Sequence, residues 1–467
     1  MSSKKNRSRR QFIKTVAAGS ASAAITPTIL KAKTSQQFLE PKRYTANDKI
    51  RLATIGMGII GFIDTETALR VPGVELVAVA DLYDGRRTRA QEVYGSHIFT
   101  TRDYREILQR DDVDAVIVAT SDHWHAQIAI DAMEAEKHVY CEKPMVRTPE
   151  EGRRVIEAEK KTGKVLEVGS QGVSSILNDK ARQLFEEGAI GELNFIEASF
   201  RRNSDVGAWQ YSIPPDASPQ NVDWERFLGE APKRPFDATR FFRWRNYTDY
   251  GTGIPGDLFV HLFSAVHHIL TSHGPTRISA MGGLRFWKDG RDVPDVIAGL
   301  FDFPQAKAHP AFTLALTANF VDNSSGPSGT LIIGSEGMMR IQGSRLTLEK
   351  RGQYKRTEQE YVEGYNSVRT FSEATQRDFV EEYRQMKAAQ GKPESAVTGV
   401  SEYQTPEGYD ARLDHFYNFF SAIRENGKVE EDATYGLRAA APAVLTNTAY
   451  ADQRIVNWDP EKLLVGN

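Results

Sequence analysis

Apolar and polar positions change period twice along this chain. From Lys49 to Gly169, short apolar runs alternate with helical stretches. Leu52 to Ile55, Val74 to Ala80, Val113 to Thr120, His138 to Cys141 and Val165 to Gly169 read as buried strands. Between them, Trp124 to Glu136 carries Ile128, Ala129, Ala132 and Met133 on one helical face, and Thr148 to Thr162 reads as a further helix. Strands separated by helices predict a parallel sheet covered on both sides. After Asn194 to Arg201, residues 203–256 are rich in aromatics, arginine, proline and glycine and read as a long irregular excursion over a site. The period then becomes that of strands: Arg277 to Met281, Val296 to Phe303, Phe312 to Val321, Gly329 to Gly334, Met338 to Gln342 and Leu346 to Lys350. Their alternation predicts an antiparallel sheet with one exposed face. Residues 351–408 are polar and read as a surface insertion, and Leu413 to Asn426 and Thr434 to Ala451 read as closing helices.

Composition narrows the class. The chain has 467 residues, 40% hydrophobic and 26% charged, which suits a soluble globular protein of two or three domains. A formal net charge of −3 gives no general attraction to nucleic acid. Cys141 is the single cysteine, so no intrachain disulfide can form. The first 32 residues are of a different kind. Ser8-Arg9-Arg10-Gln11-Phe12-Ile13-Lys14 is a twin-arginine export motif, followed by an Ala/Ser/Gly segment from Thr15 to Leu30 too short and interrupted for a stable membrane anchor. Residues 1–32 are therefore expected to be a signal peptide read by the twin-arginine translocase, and the protein to be periplasmic. Residues 33–48 read as a polar arm, 49–169 as the first domain and 170–467 as the second.

The first domain carries a specific signal. Leu52 to Ile55 runs into Gly56-Met57-Gly58-Ile59-Ile60-Gly61, and the next strand ends at Asp81, 20 residues beyond Gly61. Between two buried-type strands this is the dinucleotide fingerprint. Gly56 permits the tight turn, Gly58 lets the backbone approach a pyrophosphate, and Gly61 lets helix and strand pack closely. Asp81 is placed for a ribose diol, and its charge favours NAD over NADP, with Arg86 and Arg87 nearby keeping NADP as the lesser alternative. A twin-arginine substrate travels folded, into a compartment expected to hold little free NAD, so the cofactor is expected to be tightly bound.

Two further segments carry chemistry. Glu142-Lys143-Pro144 follows a parallel strand, where ligands bind in doubly wound sheets, and Lys143 there can reach a nicotinamide and a substrate hydroxyl. Gly251-Thr252-Gly253-Ile254-Pro255-Gly256-Asp257 opens an apolar helix, with Asp257 and His261 four residues apart and so on one face. A carboxylate beside an imidazole raises its basicity and suits a general base. His267-His268 is not expected to hold a metal, because adjacent helical residues diverge and no second ligand pair has suitable spacing.

These residues in this order, together with Ala119-Thr120-Ser121-Asp122-His123-Trp124-His125, resemble the glucose–fructose oxidoreductase / inositol dehydrogenase (Gfo/Idh/MocA) family over about residues 49–350. The resemblance implies a Rossmann NAD domain followed by an α+β domain with an open-faced, mostly antiparallel sheet, and an active site between them. It implies that Lys143 polarises the reacting hydroxyl, that Asp257 and His261 position and deprotonate it, and that Thr120, Ser121, His125, Glu142 and Gln171 border the cofactor. Members often carry an aspartate three residues after the active-site histidine; here that position is Ser264.

The function expected is hydride transfer between nicotinamide and a secondary hydroxyl of a sugar, glycoside or cyclitol. The substrate wall is expected to include Arg202, Trp209, Arg243, Trp244 and Tyr250, flat rings for sugar faces and guanidinium groups for hydroxyls or carboxylates. The alternative is an NAD-dependent glycoside hydrolase of the same fold, which oxidises a ring hydroxyl transiently, eliminates the aglycone, adds water and takes the hydride back. A third reading, a non-catalytic sensor, is disfavoured by the presence of Lys143 and His261. An exposed sheet and the family resemblance lead us to expect a dimer or tetramer.

Overall fold

The computed structural model describes residues 28–31, 49–322, 329–351, 358–389 and 399–466. The twin-arginine motif and the whole of the 33–48 arm lie outside them. Thr28–Lys31 (β1), at the end of the expected signal peptide, pairs in parallel with a strand near residue 400.

Ile50–Ile55 (β2), Val74–Ala80 (β3), Phe99–Thr101 (β4), Ala115–Val118 (β5), His138–Cys141 (β6) and Leu166–Val168 (β7) form a six-stranded sheet in the order β4-β3-β2-β5-β6-β7. Every pairing in it is parallel. β5 is Ala-Val-Ile-Val with all four residues buried, the composition of a strand covered on both faces. The order reverses beside β2, so the loops after β2 and β5 diverge and leave a crevice at the strands' carboxyl ends. The Pro149–Thr162 helix shows how local chemistry sets the elements. Thr148 and Glu151 form a capping box, Pro149 opens the first turn, and Gly163 ends it in the left-handed conformation at φ 66°.

The second sheet has eleven strands. It comprises Leu193–Arg201 (β8), Arg277–Gly283 (β9), Val296–Phe303 (β10), Phe312–Asn319 (β11), Gly329–Gly334 (β12), Gly337–Gln342 (β13), Arg345–Lys350 (β14), Gly399–Gln404 (β15), Val456–Asp459 (β16) and Leu464–Val465 (β17), with β1 at one edge. The order is β1-β15-β14-β13-β12-β8-β11-β10-β9-β16-β17, antiparallel except at β1–β15 and β8–β11. Alternation places Ile297, Phe301 and Leu316 in the core, where Phe301 meets Phe263 of the Val260–Leu270 helix edge-on at 4.9 Å. The opposite face is open, with Met281 82% and Leu300 54% exposed. The region expected to be a surface insertion is partly built into this sheet. Gly399–Gln404 pairs with β14, while the Glu358–Glu363 and Glu373–Ala389 helices stand outside it.

Two features join the domains. Leu413, Phe416, Phe419 and Phe420 of the Ala411–Glu425 helix share a core with Ile50, Leu52, Ile117 and Tyr140, so the first domain's core is completed from the far end of the chain. The 203–250 excursion is a small aromatic unit, with short helices Trp224–Leu228 and Ala238–Phe242, that packs on Tyr83. Backbone bonds pin it there, from Asp84 N to Asn221 O at 2.9 Å and from Asp223 N to Leu82 O at 2.9 Å.

Candidate active site

A cavity of about 660 Å³ lies in the crevice between the two domains. Its floor is the fingerprint loop. Gly56 sits at φ +95°, and a Cβ there would lie 2.6 Å from Ala119 O. The Ile59–Leu69 helix begins at Gly58 without a side-chain cap, which leaves first-turn N–H groups for an anion. A Cβ at Gly58 would meet nothing within 4 Å, so open space lies where a pyrophosphate would approach. Gly61 is the opposite case: its Cβ would fall 1.9 Å from Gly56 O. These residues fit a dinucleotide.

Of the residues assigned to the cofactor, Gly56, Gly58, Ile59, Ile60, Asp81, Thr120, Ser121, Glu142, Lys143 and Gln171 line the cavity. Met57, Gly61 and His125 do not. Met57 is fully buried and Gly61 is a packing glycine. His125 is buried behind the wall, its ring nitrogens 2.8 Å from Pro144 O and 3.2 Å from Thr120 O, and so ties together the two strand-end segments that do line the cavity. Asp81 has a second task. Its carboxylate accepts hydrogen bonds from Met57 N at 2.7 Å and Tyr83 N at 2.8 Å, which fixes the fingerprint loop, and Arg86 stands 3.6 Å away. Glu142 accepts from Gln171 Nε2 at 3.1 Å.

Lys143, Asp257 and His261 meet at the other end of the cavity. Lys143 Nζ donates to Asp257 O at 2.8 Å and to Asp257 Oδ1 at 3.0 Å, and Arg245 Nε donates to the same Oδ1 at 3.3 Å. Asp257 lies in a π-helical turn, Pro255–Phe259. Burial pushes its carboxyl up, but Lys143, Arg245 and then Arg202 outweigh that and hold it well below the usual carboxylate range. The expected Asp257–imidazole bond is absent. The carboxylate is taken by two cations, and His261 has no hydrogen-bond partner among the described residues. Burial first and Lys143 second push His261 down to about 3, with Asp257 offsetting only part. The imidazole is therefore neutral near pH 7, and its basicity is low.

Among the residues expected to contact substrate, Arg202 and Trp244 line the cavity and three do not. Trp209 is fully buried, edge-on to Phe320 at 4.9 Å. Arg243 is spent on Tyr211 O at 2.8 Å and on Gln210 Oε1. Tyr250 is buried in the aromatic core of the excursion. Arg245, Tyr211 and Arg412 take their place. Arg245 follows Trp244 and stacks on it at 4.2 Å, while Arg412 arrives from the first turn of a closing helix, which no nearby motif marks.

The position that departs from the family pattern, Ser264, donates to Glu431 Oε1 at 2.8 Å, both residues being fully buried. Burial pushes Glu431 up to about 8, although the bond from Ser264 pulls it down. Folded protein thus holds a proton that the unfolded chain releases above its ordinary value of 4.5. This contribution to stability is complete below that value and shrinks as pH rises to about 8. Glu431→Gln, which keeps an acceptor for Ser264, is expected to flatten the decline in urea-unfolding free energy across this window by up to roughly 5 kcal/mol. Equal slopes in the two proteins would rule this out.

No group of three or more His, Cys, Asp or Glu among the described residues is placed to hold a metal. His268 lies between Asp179, at 2.9 Å, and Glu430. No described helix is long and apolar enough to cross a membrane.

A parallel sheet with this glycine loop, joined to an open-faced sheet across a cavity, defines an NAD-binding oxidoreductase fold. Residues 50–170 match the family described as "Oxidoreductase family, NAD-binding Rossmann fold", and residues 204–281 match its "C-terminal alpha/beta domain". Both segments thus match models of the Gfo/Idh/MocA oxidoreductase family, and the first is its NAD-binding Rossmann domain. A glycosyl hydrolase family 109 protein from Shewanella sp. (strain W3-18-1) is 31% identical over 213 residues, 41% of this chain and 45% of the relative. Inositol 2-dehydrogenase from Salmonella typhimurium is 34% identical over 145 residues, 31% of this chain and 43% of the relative. The chain thus spans less than half the length of either. Levoglucosan dehydrogenase in complex with NADH superimposes with a TM-score of 0.62 at 18% identity, covering 88% of this chain and 99% of that one.

Proposed function

We propose that this protein oxidises a secondary hydroxyl of a sugar, glycoside or cyclitol. The observation that carries the reading is the convergence of Lys143, Asp257 and an unpartnered, neutral His261 at one end of the NAD cavity. NAD, when bound, supplies the hydride acceptor. Lys143 donates a hydrogen bond to the substrate oxygen and stabilises charge as it develops there. His261 takes the hydroxyl proton. Asp257 holds Lys143 in place through Nζ. The excursion, pinned at Leu82 and Asp84, covers one side of the cavity with Phe227, Phe241 and Phe242 and excludes water.

The same cover, held at Leu82 and Asp84, supports tight retention of NAD. Retention fits export through the twin-arginine route to the periplasm, which rests on Ser8 to Lys14. A second reading, transient oxidation in the service of glycoside hydrolysis, is favoured by the 31% identity to a glycosyl hydrolase family 109 protein. Hydrolases of this fold tend to vary the Glu142-Lys143-Pro144 segment, and its intact form here keeps net oxidation first.

The test is to purify the full chain without added nucleotide and follow reduced-nicotinamide absorbance while adding sugars and glycosides. Bound cofactor that becomes and stays reduced is expected. Glycoside cleavage with no lasting reduction would move the hydrolase to first place, and protein that arrives empty would overturn tight retention.

A further inference from the structure

The substrate end of the cavity holds more positive charge than its own residues balance. Lys143, Arg202 and Arg245 border it, against Asp257, the carboxylate all three act on, and Glu142, which accepts from Gln171. Arg245 gives only Nε to Asp257, at 3.3 Å, and its two amino groups have no hydrogen-bond partner among the described residues. Its guanidinium is held on the Trp244 ring at 4.2 Å. Arg202 gives Nη1 to Gly207 O at 3.3 Å and rests over Phe320 at 5.4 Å, leaving Nε and Nη2 without a partner among the described residues. Arg412 adds a third guanidinium to the lining, 3.4 Å from the fully buried Asp64.

Stacking fixes each guanidinium plane without using its donors, which preorganises it for planar anion recognition. Half-buried cations with spare donors around a cavity are costly unless an anion completes them. A neutral sugar offers hydroxyls but no charge.

We infer that the substrate of this site is an anionic saccharide, with a carboxylate or a sulfate or phosphate ester seated between Arg202 and Arg245 while Lys143 and His261 work on a hydroxyl of the same molecule. The inference rests on the oxidoreductase reading above and specifies its substrate class. It also accounts for the low basicity of His261. Burial comes first, but Lys143, Arg202 and Arg412 all oppose its protonation, with only Asp257 favouring it. An anion beside the arginines cancels part of that field and restores the imidazole as a proton acceptor.

The test uses the full chain supplied with NAD and sugars paired to differ in charge. The pairs are glucose with glucuronate, galactose with galacturonate and mannose with mannuronate, alongside glucose 6-sulfate and glucose 6-phosphate. At least one anionic member is expected to reduce the cofactor with kcat/KM about 10- to 100-fold above its neutral partner, the span of one or two charge-assisted hydrogen bonds. The preferred member identifies the anion. Arg202→Gln is expected to erase most of that advantage, the anionic member falling in kcat/KM toward its neutral partner by about 10- to 100-fold, more than the neutral partner falls. Neutral sugars turned over as well as or better than their acids, or an Arg202→Gln loss equal for both, would overturn the inference and leave the oxidoreductase reading standing. No reduction by any sugar would count against both.

Discussion

Replacing Lys143 with methionine is expected to lower the rate of cofactor reduction in a single turnover by about 10³-fold, while bound NAD is retained. Methionine keeps the volume of the side chain but removes the donor that faces the reacting oxygen. It also releases Asp257, whose Oδ1 is 3.0 Å from Nζ, to Arg245 alone. The loss should appear in kcat more than in KM, because the interaction grows as charge accumulates on oxygen. Turnover within tenfold of the parent, with the nicotinamide still bound, would falsify the role given to Lys143.

The second large effect separates two glycines of one motif. Gly58→Ala adds a methyl group where the protein places nothing within 4 Å, at a backbone conformation, φ −75°, that alanine adopts freely. It should fold and unfold as the parent does, yet bind NAD about 100-fold more weakly, because the methyl fills the space left for phosphate. Gly61→Ala puts the same methyl 1.9 Å from Gly56 O, a backbone atom that cannot rotate aside. The helix must move off the turn, so this variant is expected to lose NAD binding and, in addition, about 1–3 kcal/mol of stability. Calorimetric titration and urea unfolding of both proteins decide the matter. Equal stability of the two variants would show that the close approach at Gly61 is not needed.

The parts of the site that sequence made legible are those fixed by strand ends. Gly56 to Gly61, Asp81, Thr120 and Glu142-Lys143 each follow a parallel strand, and a strand's carboxyl end leaves a short segment little choice of direction. The substrate wall was legible only in kind. Trp209, Arg243, Trp244 and Arg245 have the same residue types, but which of them face a cavity depends on how residues 203–250 fold on Tyr83, a long-range matter with no local period. Arg412 was invisible for the same reason, since its helix reaches the site from far along the chain. The spacing of Asp257 and His261 placed both residues at the site but did not foresee that Lys143 and Arg245 would claim the carboxylate. β15 was missed because Gly-Val-Ser-Glu-Tyr-Gln buries only Tyr403 and so carries almost no hydrophobic alternation.

The last helices bear on how the protein is made. Tyr140, at the centre of the nucleotide-binding sheet, stacks on Phe416 at 4.2 Å, and Leu413 and Phe420 seal the neighbouring strands. A ribosome releases Ile50 to Val168 long before residue 416 leaves its exit tunnel. During that interval the first sheet has one apolar face without its cover, exposed to chaperones and to other nascent chains. The first sheet therefore receives its cover only after the Ala411–Glu425 helix has been synthesised. On the proposed route of folded export, the Ala411–Glu425 helix would then act as a licence for departure.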